Sequence, residues 1–203
     1  MLEVAVIDYG NGNLGSLLAA LGRLDVKAQV LTRASDAAPG ADAVIFPGVG
    51  ALGTVVQHLE TSGLRALIER HLERQRPILG ICLGMQLFFE EGAEGGSGLG
   101  WLKGSIPELN SQVLPHIGWN TVQQLAPHTA LTVNIPQDPA YYFVHSYRIL
   151  PANPHIVAGI TEYEGEPFPS VIVDPPLYGV QFHPELSGHL GHRLLAQWLE
   201  EVR

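Results

Sequence analysis

The chain has 203 residues, 46% of them hydrophobic, which is typical of a single globular domain spanning 1–203, and its formal net charge is −9. An excess of 20 acidic over 11 basic residues argues against a nucleic-acid surface, because phosphate binding requires clustered Lys and Arg. One cysteine excludes an intrachain disulfide, and neither a leader-like start nor an apolar run of roughly 18 residues is present, so we expect a cytoplasmic protein with no membrane span.

The first half of the chain alternates short apolar runs with segments of helical spacing. The predicted strands are 4–8, 28–31, 43–46 and 78–81, and the predicted helices are 14–24, 55–59, 64–73 and a segment starting at 83. This alternation predicts an α/β fold with a doubly wound, mostly parallel sheet, in which binding loops lie at the carboxyl ends of the strands. Asp8, Phe46 and Ile81 each lead into a glycine-containing loop at that edge.

The second half has a different pattern, in which short β-type stretches such as 141–149 and 170–173 are broken by Pro and Asn. We expect an antiparallel β elaboration within the same domain, from about 104 to 176. The chain then returns through a strand at 178–182. A closing amphipathic helix is predicted by the spacing of Leu190, Leu194, Leu195 and Trp198.

The only cysteine, Cys82, stands between Gly80 and Gly84 directly after a predicted strand. This spacing predicts a nucleophile elbow, a turn so sharp that larger neighbours would clash and the reactive atom is held at the tip of the sheet. A position at the start of a helix favours the negatively charged thiolate. The alternative is a small buried hydrophobic residue, the ordinary role of a lone cysteine.

A second segment, 179–185, contains a candidate base and its orienting partner. His183 and Glu185 are two residues apart on an extended stretch, with Pro184 stiffening the turn between them, so both side chains can point to one side. A thiol nucleophile needs such a pair. Taken singly, a capped loop histidine and a solvated glutamate are the alternative interpretations.

Two further patterns favour other functions. The glycines in 10–15 fit the dinucleotide fingerprint, but the second strand ends at Arg33 without the acidic residue that binds a ribose, so we expect no nicotinamide cofactor. His183, His189 and His192 lie close together in the sequence, but a zinc site usually needs a further ligand, so we expect no metal.

Six segments from end to end resemble the class I (triad) glutamine amidotransferases and, within that family, the glutaminase subunits of imidazole glycerol phosphate synthases. These segments are 8–14, 47–50, 80–86, 115–120, 142–147 and 179–185. The cysteine elbow and the His-Pro-Glu segment are shared by the whole family. Gly118-Trp119-Asn120 and His145-Ser146-Tyr147 indicate the subfamily.

The resemblance implies hydrolysis of glutamine to glutamate and ammonia through a thioester on Cys82, with His183 as proton carrier and Glu185 as its orienting group. The backbone N–H groups of Val49 and Leu83 would form the oxyanion hole. The α-amino and α-carboxylate groups of glutamine would be bound by Gly50, Gln86, Glu94, Ser146 and Tyr147.

The resemblance also implies a partner, the (β/α)8 cyclase subunit of imidazole glycerol phosphate synthase, which forms a heterodimer with the chain and receives the ammonia in histidine biosynthesis. Trp119, Asn120, Asn11 and Asn13 would lie near the docking face. Leu186 departs from the family, in which Lys commonly follows the His-Pro-Glu segment, so an ion pair expected at the interface lacks its cation.

Three alternatives stay open at this point. The glutaminase of another synthase, such as pyridoxal phosphate synthase, would keep the triad but lack the Gly-Trp-Asn and His-Ser-Tyr segments. A cysteine amidase or peptidase on a related α/β scaffold would have an open cleft and act without a partner. A binding module without catalysis would use the glycine-rich loop at 10–15 as its ligand site.

Overall fold

The computed structural model describes residues 1–10, 14–36, 40–92, 96–123, 129 and 131–203. In these ranges the strands are β1 (Glu3–Ile7), β2 (Lys27–Leu31), β3 (Ala43–Phe46), β4 (Ile78–Ile81), β5 (Phe89–Gly92), β6 (Leu102–Ile106), β7 (His116–Thr121), β8 (Ala140–His145), β9 (Leu150–Pro151), β10 (Val157–Tyr163), β11 (Glu166–Asp174) and β12 (Leu177–Val180). The helices are α1 (Leu14–Gly22), α2 (Leu52–Thr61), α3 (Leu64–Glu73), α4 (Leu83–Gln86) and α5 (Gly188–Val202).

The main sheet has the strand order β2-β1-β3-β4-β12-β11-β10. Its first five strands are parallel, and β11 and β10 extend it with antiparallel pairing. The predicted parallel sheet and the antiparallel elaboration are therefore both present. The carboxyl ends of β1, β3, β4 and β12 meet at one edge, where the catalytic side chains are expected.

Apolar side chains cover both faces of this sheet. Along β1, Val4 and Val6 point into one buried cluster, and Ala5 and Ile7 point into the other, as the alternation of a strand requires. The first cluster includes Leu17, Leu21 and Trp198 from α1 and α5, and the second includes Leu59 and Ile68 from α2 and α3. The helices therefore pack on both faces of the sheet.

Two predicted elements differ from the structure. The helix after Cys82 begins at Leu83 as predicted, but it lasts one turn, because the carbonyls of Leu87 and Phe88 bind the N–H groups of Leu99 and Leu102. The β-type stretch 141–149 is divided into β8 and the short β9, which pair in different sheets. The middle of the glycine fingerprint, 11–13, lies outside the described residues, and so do Asn11 and Asn13.

None of the helices in the described ranges is long and apolar enough to cross a membrane.

Candidate active site

Cys82 is the corner residue between β4 and α4, with φ 51° and ψ −109°. A non-glycine residue in such a conformation costs about 1–3 kcal/mol, so the surrounding packing must impose it. A Cβ on Gly80 would lie 2.5 Å from the Gly84 carbonyl oxygen, and one on Gly84 would lie 2.2 Å from the Phe46 carbonyl oxygen. Only glycine fits at both places, which is the geometry that the sequence predicts for a nucleophile elbow.

The Cys82 thiol is nearly enclosed, with 5% of the residue exposed. Its Sγ accepts a hydrogen bond from the Gln181 Nε2 at 3.4 Å and lies 3.8 Å from the Val144 carbonyl oxygen. Gln181 is fully buried on the chain that follows β12. The Gln181 amide thus holds the sulfur in place at the end of the elbow.

His183 is held from both its backbone and its ring. Its backbone N–H donates to the Tyr142 carbonyl at 2.8 Å, and the Ser187 hydroxyl donates to the His183 carbonyl at 2.6 Å. The ring Nδ1 lies 2.8 Å from the Glu185 Oε1, and both side chains are about 95% buried. The structure therefore brings His183 and Glu185 together as the sequence predicts.

The other ring nitrogen of His183, Nε2, makes no hydrogen bond of ordinary geometry within the described residues. Burial lowers the pKa of His183, but the nearby Cys82, together with the hydrogen bond and negative charge of Glu185, outweighs burial and raises the pKa well above its usual value. The ring is thus stabilised as an imidazolium beside the Cys82 sulfur. This is the charge state that a thiol nucleophile and a general acid require.

Tyr9 follows β1 at the same edge of the sheet, and its buried hydroxyl has no hydrogen-bond partner among the described residues. Burial, followed by the negative charges of Cys82, Asp8 and Glu185, raises the pKa of Tyr9. A neutral phenol therefore stands near the triad. Sequence reasoning assigned Tyr9 and Gln181 no role, although both lie in the segments that carry the resemblance.

Two adjoining cavities, of about 440 and 320 Å³, have the size of small-molecule sites, and Cys82 lines the smaller one. Both are lined by four of the predicted residues, Gly50, Leu83, Gln86 and Tyr147. Val49 and Ser146 line the smaller cavity together with Cys82. Glu94 lies outside the described residues. Every other predicted binding or oxyanion residue therefore borders the space in front of the thiol.

Gln86 is buried, and its amide group is already engaged with the protein. Its Nε2 donates to the Tyr147 carbonyl at 3.0 Å and to the Gln181 Oε1 at 3.2 Å. An amide nitrogen has two hydrogens, so both donors are used and Oε1 is the atom left for a ligand. Gln86 can therefore accept a hydrogen bond from an ammonium group but has no donor for a carboxylate.

The loop after β3 packs directly on the elbow. A Cβ on Gly48 would lie 1.9 Å from the Ile81 carbonyl oxygen and 2.7 Å from the Cys82 Cβ, so the loop can approach this closely only with glycine at 48. The next residue, Val49, is 38% exposed, and Gly50 has φ +131°. These features place the loop beside the reacting atoms.

No three His, Cys, Asp or Glu side chains in the described ranges are grouped as metal ligands. His189 is exposed on α5 and His192 is half-buried, whereas the His183 ring is hydrogen-bonded to Glu185.

The model of the family "Glutamine amidotransferase class-I" matches residues 5–202. The chain belongs to this family. The predictions of the family, of its α/β fold and of an enzyme are therefore confirmed.

Curated relatives of this chain include HisH subunits of imidazole glycerol phosphate synthases. The imidazole glycerol phosphate synthase subunit HisH of Moorella thermoacetica is 44% identical over 100% of this chain and 97% of the relative. The HisH subunit of Oceanobacillus iheyensis is 40% identical over 98% of this chain and 100% of the relative. Among solved structures, PurLQS from Thermotoga maritima superposes with a TM-score of 0.81 at 17% identity, covering 100% of this chain and 99% of that one. At that identity the last likeness supports the fold alone.

Proposed function

We propose that the chain is the glutaminase subunit of an imidazole glycerol phosphate synthase, releasing ammonia from glutamine for histidine biosynthesis. The observation that carries this proposal is the Cys82, His183 and Glu185 constellation at the strand ends, in a chain that is 40–44% identical over nearly full length to the HisH subunits of Oceanobacillus iheyensis and Moorella thermoacetica.

In the proposed reaction, the Cys82 thiolate attacks the side-chain amide carbon of glutamine and forms a tetrahedral oxyanion. Collapse of the oxyanion breaks the C–N bond, and His183 gives its Nε2 proton to the departing nitrogen, so ammonia leaves and a γ-glutamyl thioester remains. His183 then takes a proton from water, which attacks the thioester. Glutamate leaves and the thiolate returns. Glu185 keeps the ring oriented and its positive charge balanced throughout.

The oxyanion is assigned to the backbone N–H groups of Leu83 and Val49. Leu83 is the first residue of α4, so its N–H has no carbonyl one turn earlier to bind. Val49 lies in the loop that packs on the elbow. Donors fixed in place before the reaction stabilise the developing charge without reorganisation.

The α-groups of glutamine are assigned to the cavity residues Gly50, Gln86, Ser146 and Tyr147, together with Glu94. The free acceptor of Gln86 fits the α-ammonium group, and a backbone N–H at Gly50 or Ser146 fits the α-carboxylate. The α-carboxylate is assigned to backbone N–H groups because both hydrogens of the Gln86 amide already bind within the protein.

Docking of the partner is assigned to the outer face of β7. Ile117 and Trp119 are 58% and 60% exposed on this face, although such apolar side chains are ordinarily covered. The names of the HisH relatives describe subunits of a synthase. We assign the (β/α)8 cyclase subunit to this face, with the chain and the cyclase forming a heterodimer.

The direct test is ammonia release from glutamine, measured with and without the cyclase and its nucleotide. We expect docking of the loaded cyclase to turn the Val49 N–H into the site and to raise kcat by about 10²–10³, the factor that one missing oxyanion donor costs. KM should change little, because glutamine binds before the oxyanion forms. The proposed function is wrong if the loaded complex releases no ammonia. A free chain that releases ammonia as fast as the complex would contradict the activation.

Replacing Trp119 by alanine should weaken the affinity for the partner without changing the basal rate of ammonia release.

Replacing Gly48 by alanine should lower kcat of the complex by about 10²–10³ through loss of one oxyanion donor. The added Cβ has only 1.9 Å to the Ile81 carbonyl oxygen, so the loop must move away from the elbow. Gly22→Ala is the matched control, because a Cβ on Gly22 meets nothing within 4 Å. Equal kcat values for the two variants would show that this loop supplies no donor.

A further inference from the structure

β7 presents two chemically different faces. Ile117 and Trp119 point outward and are exposed, whereas His116 and Asn120 lie on the inner face. In the neighbouring strand, His145 is paired directly with His116. Both histidines are buried, with 2% and 6% of each residue exposed. The reaction proposed above uses neither of them.

The hydrogen bonds of the two rings have one consistent direction. His145 Nδ1 lies 2.8 Å from the Tyr147 carbonyl oxygen, which can only accept, so this nitrogen carries the hydrogen. His145 Nε2 must then accept, and it lies 3.0 Å from His116 Nδ1. His116 Nδ1 is thus the donor, and its Nε2 accepts from the Asn120 amide at 3.3 Å.

Two further observations support this assignment. The Asn120 Nδ2 also donates to the Glu162 carbonyl, and its Oδ1 accepts from the Thr121 N–H, so the amide orientation is fixed from both sides. Burial lowers the pKa of His116 to about 4 and that of His145 to about 3. Both rings are therefore neutral near pH 7, as the one-way chain requires.

The chain continues to the nucleophile. The Tyr147 carbonyl, which receives the hydrogen from His145, also receives one from the Gln86 amide. Gln86 donates to Gln181, and Gln181 donates to the Cys82 sulfur. An unbroken series of hydrogen bonds thus joins the inner face of β7 to the thiol.

We propose that Asn120, His116 and His145 form a positioning relay, which sets the Tyr147 carbonyl and, through Gln86 and Gln181, the Cys82 thiol in response to a partner docked on the outer face of β7. The coupling part of this inference rests on the proposed function. His145 also lines the smaller cavity beside Cys82, but the hydrogen bonds of the sulfur within the described residues go to Gln181 and Val144, so His116 and His145 are positioning residues.

If the His116 ring served only for packing, His116→Phe would be tolerated better than His116→Asn, whereas the relay requires the reverse. The His116 ring stacks on Phe143 and Tyr163, with centroids 4.8 and 4.0 Å away. Phenylalanine at 116 keeps this stacking and removes both nitrogens. Asparagine loses the stacking, but its Nδ2 stands near the place of Nδ1 and can still donate to His145.

The relay itself is tested in the free chain. Long-range ¹H–¹⁵N spectra at pH 7, assigned with His116→Asn and His145→Asn, should show both rings neutral with the hydrogen on Nδ1. A hydrogen on Nε2 of either ring, or a charged ring, overturns the relay. This readout needs no partner and no activity, so it stands even if the proposed function fails.

The coupling is tested by the partner-stimulated kcat at saturating cyclase. His116→Phe should lower it about tenfold, within the range typical of coupling between sites, and His116→Asn should stay within about threefold of the native complex. Asn120→Ala should also lower the partner-stimulated kcat, and it replaces His116→Phe in this test if that variant does not fold. The coupling is overturned if His116→Phe keeps full stimulation or if the two His116 variants lose it equally. An inactive native complex overturns the proposed function, and the spectra then decide the relay.

Discussion

Replacing Cys82 by alanine should abolish glutamine hydrolysis, with a loss on the order of 10⁶ in kcat, as when the nucleophile of a triad is removed. The change deletes only the sulfur from a residue that is 5% exposed, so the fold should survive. Ammonia-dependent synthesis by the complex should also survive, because the partner performs that chemistry. The measurements are ammonia release from glutamine and product formation from added ammonium salt.

Cys82→Ser is the matched control for this experiment. Its hydroxyl keeps an acceptor for the Gln181 amide, which alanine would leave buried without a partner at a cost of about 1–3 kcal/mol. We therefore expect the serine variant to be more stable than the alanine variant yet similarly inactive. Near-native hydrolysis by either variant would remove Cys82 from the proposed mechanism.

The elbow could be predicted from sequence because its requirements are local. Two glycines at fixed spacing around Cys82, after an apolar run, are sufficient to indicate a turn that excludes side chains. The clashes at Gly80 and Gly84 have this cause, since both involve carbonyls of the turn or of the adjacent β3. The pairing of His183 with Glu185 was predictable for the same reason, because the two residues are close in the chain.

Contacts between distant segments could not be predicted in this way. Gln181 reaches Cys82 across 99 positions, and His116 meets His145 across 29, so each contact depends on the register of strands that no local pattern specifies. The length of α4 was also not predictable. Its end depends on Leu99 and Leu102, whose N–H groups bind the carbonyls of Leu87 and Phe88 from outside the helix.

The roles of His183 and Glu185 should separate when His183 is replaced by asparagine and Glu185 by its isosteric amide, glutamine. His183→Asn removes the proton carrier, and we expect kcat to fall by a factor on the order of 10⁶. Glu185→Gln keeps the shape of a side chain that is 5% exposed and removes only its charge, so we expect a smaller loss on the order of 10⁴.

The pH dependence of the Glu185→Gln variant makes the distinction sharper. Burial favours the neutral ring of His183, and the Glu185 carboxylate is one of the two groups that overcome burial and raise the pKa of His183. Without that carboxylate the pKa of His183 must fall, so the alkaline limb of the kcat/KM profile should move to lower pH. Steady-state rates across pH, with circular dichroism to verify folding, provide the measurement. Equal losses in the two variants, or an unmoved alkaline limb in Glu185→Gln, would mean that Glu185 does not support the charged ring.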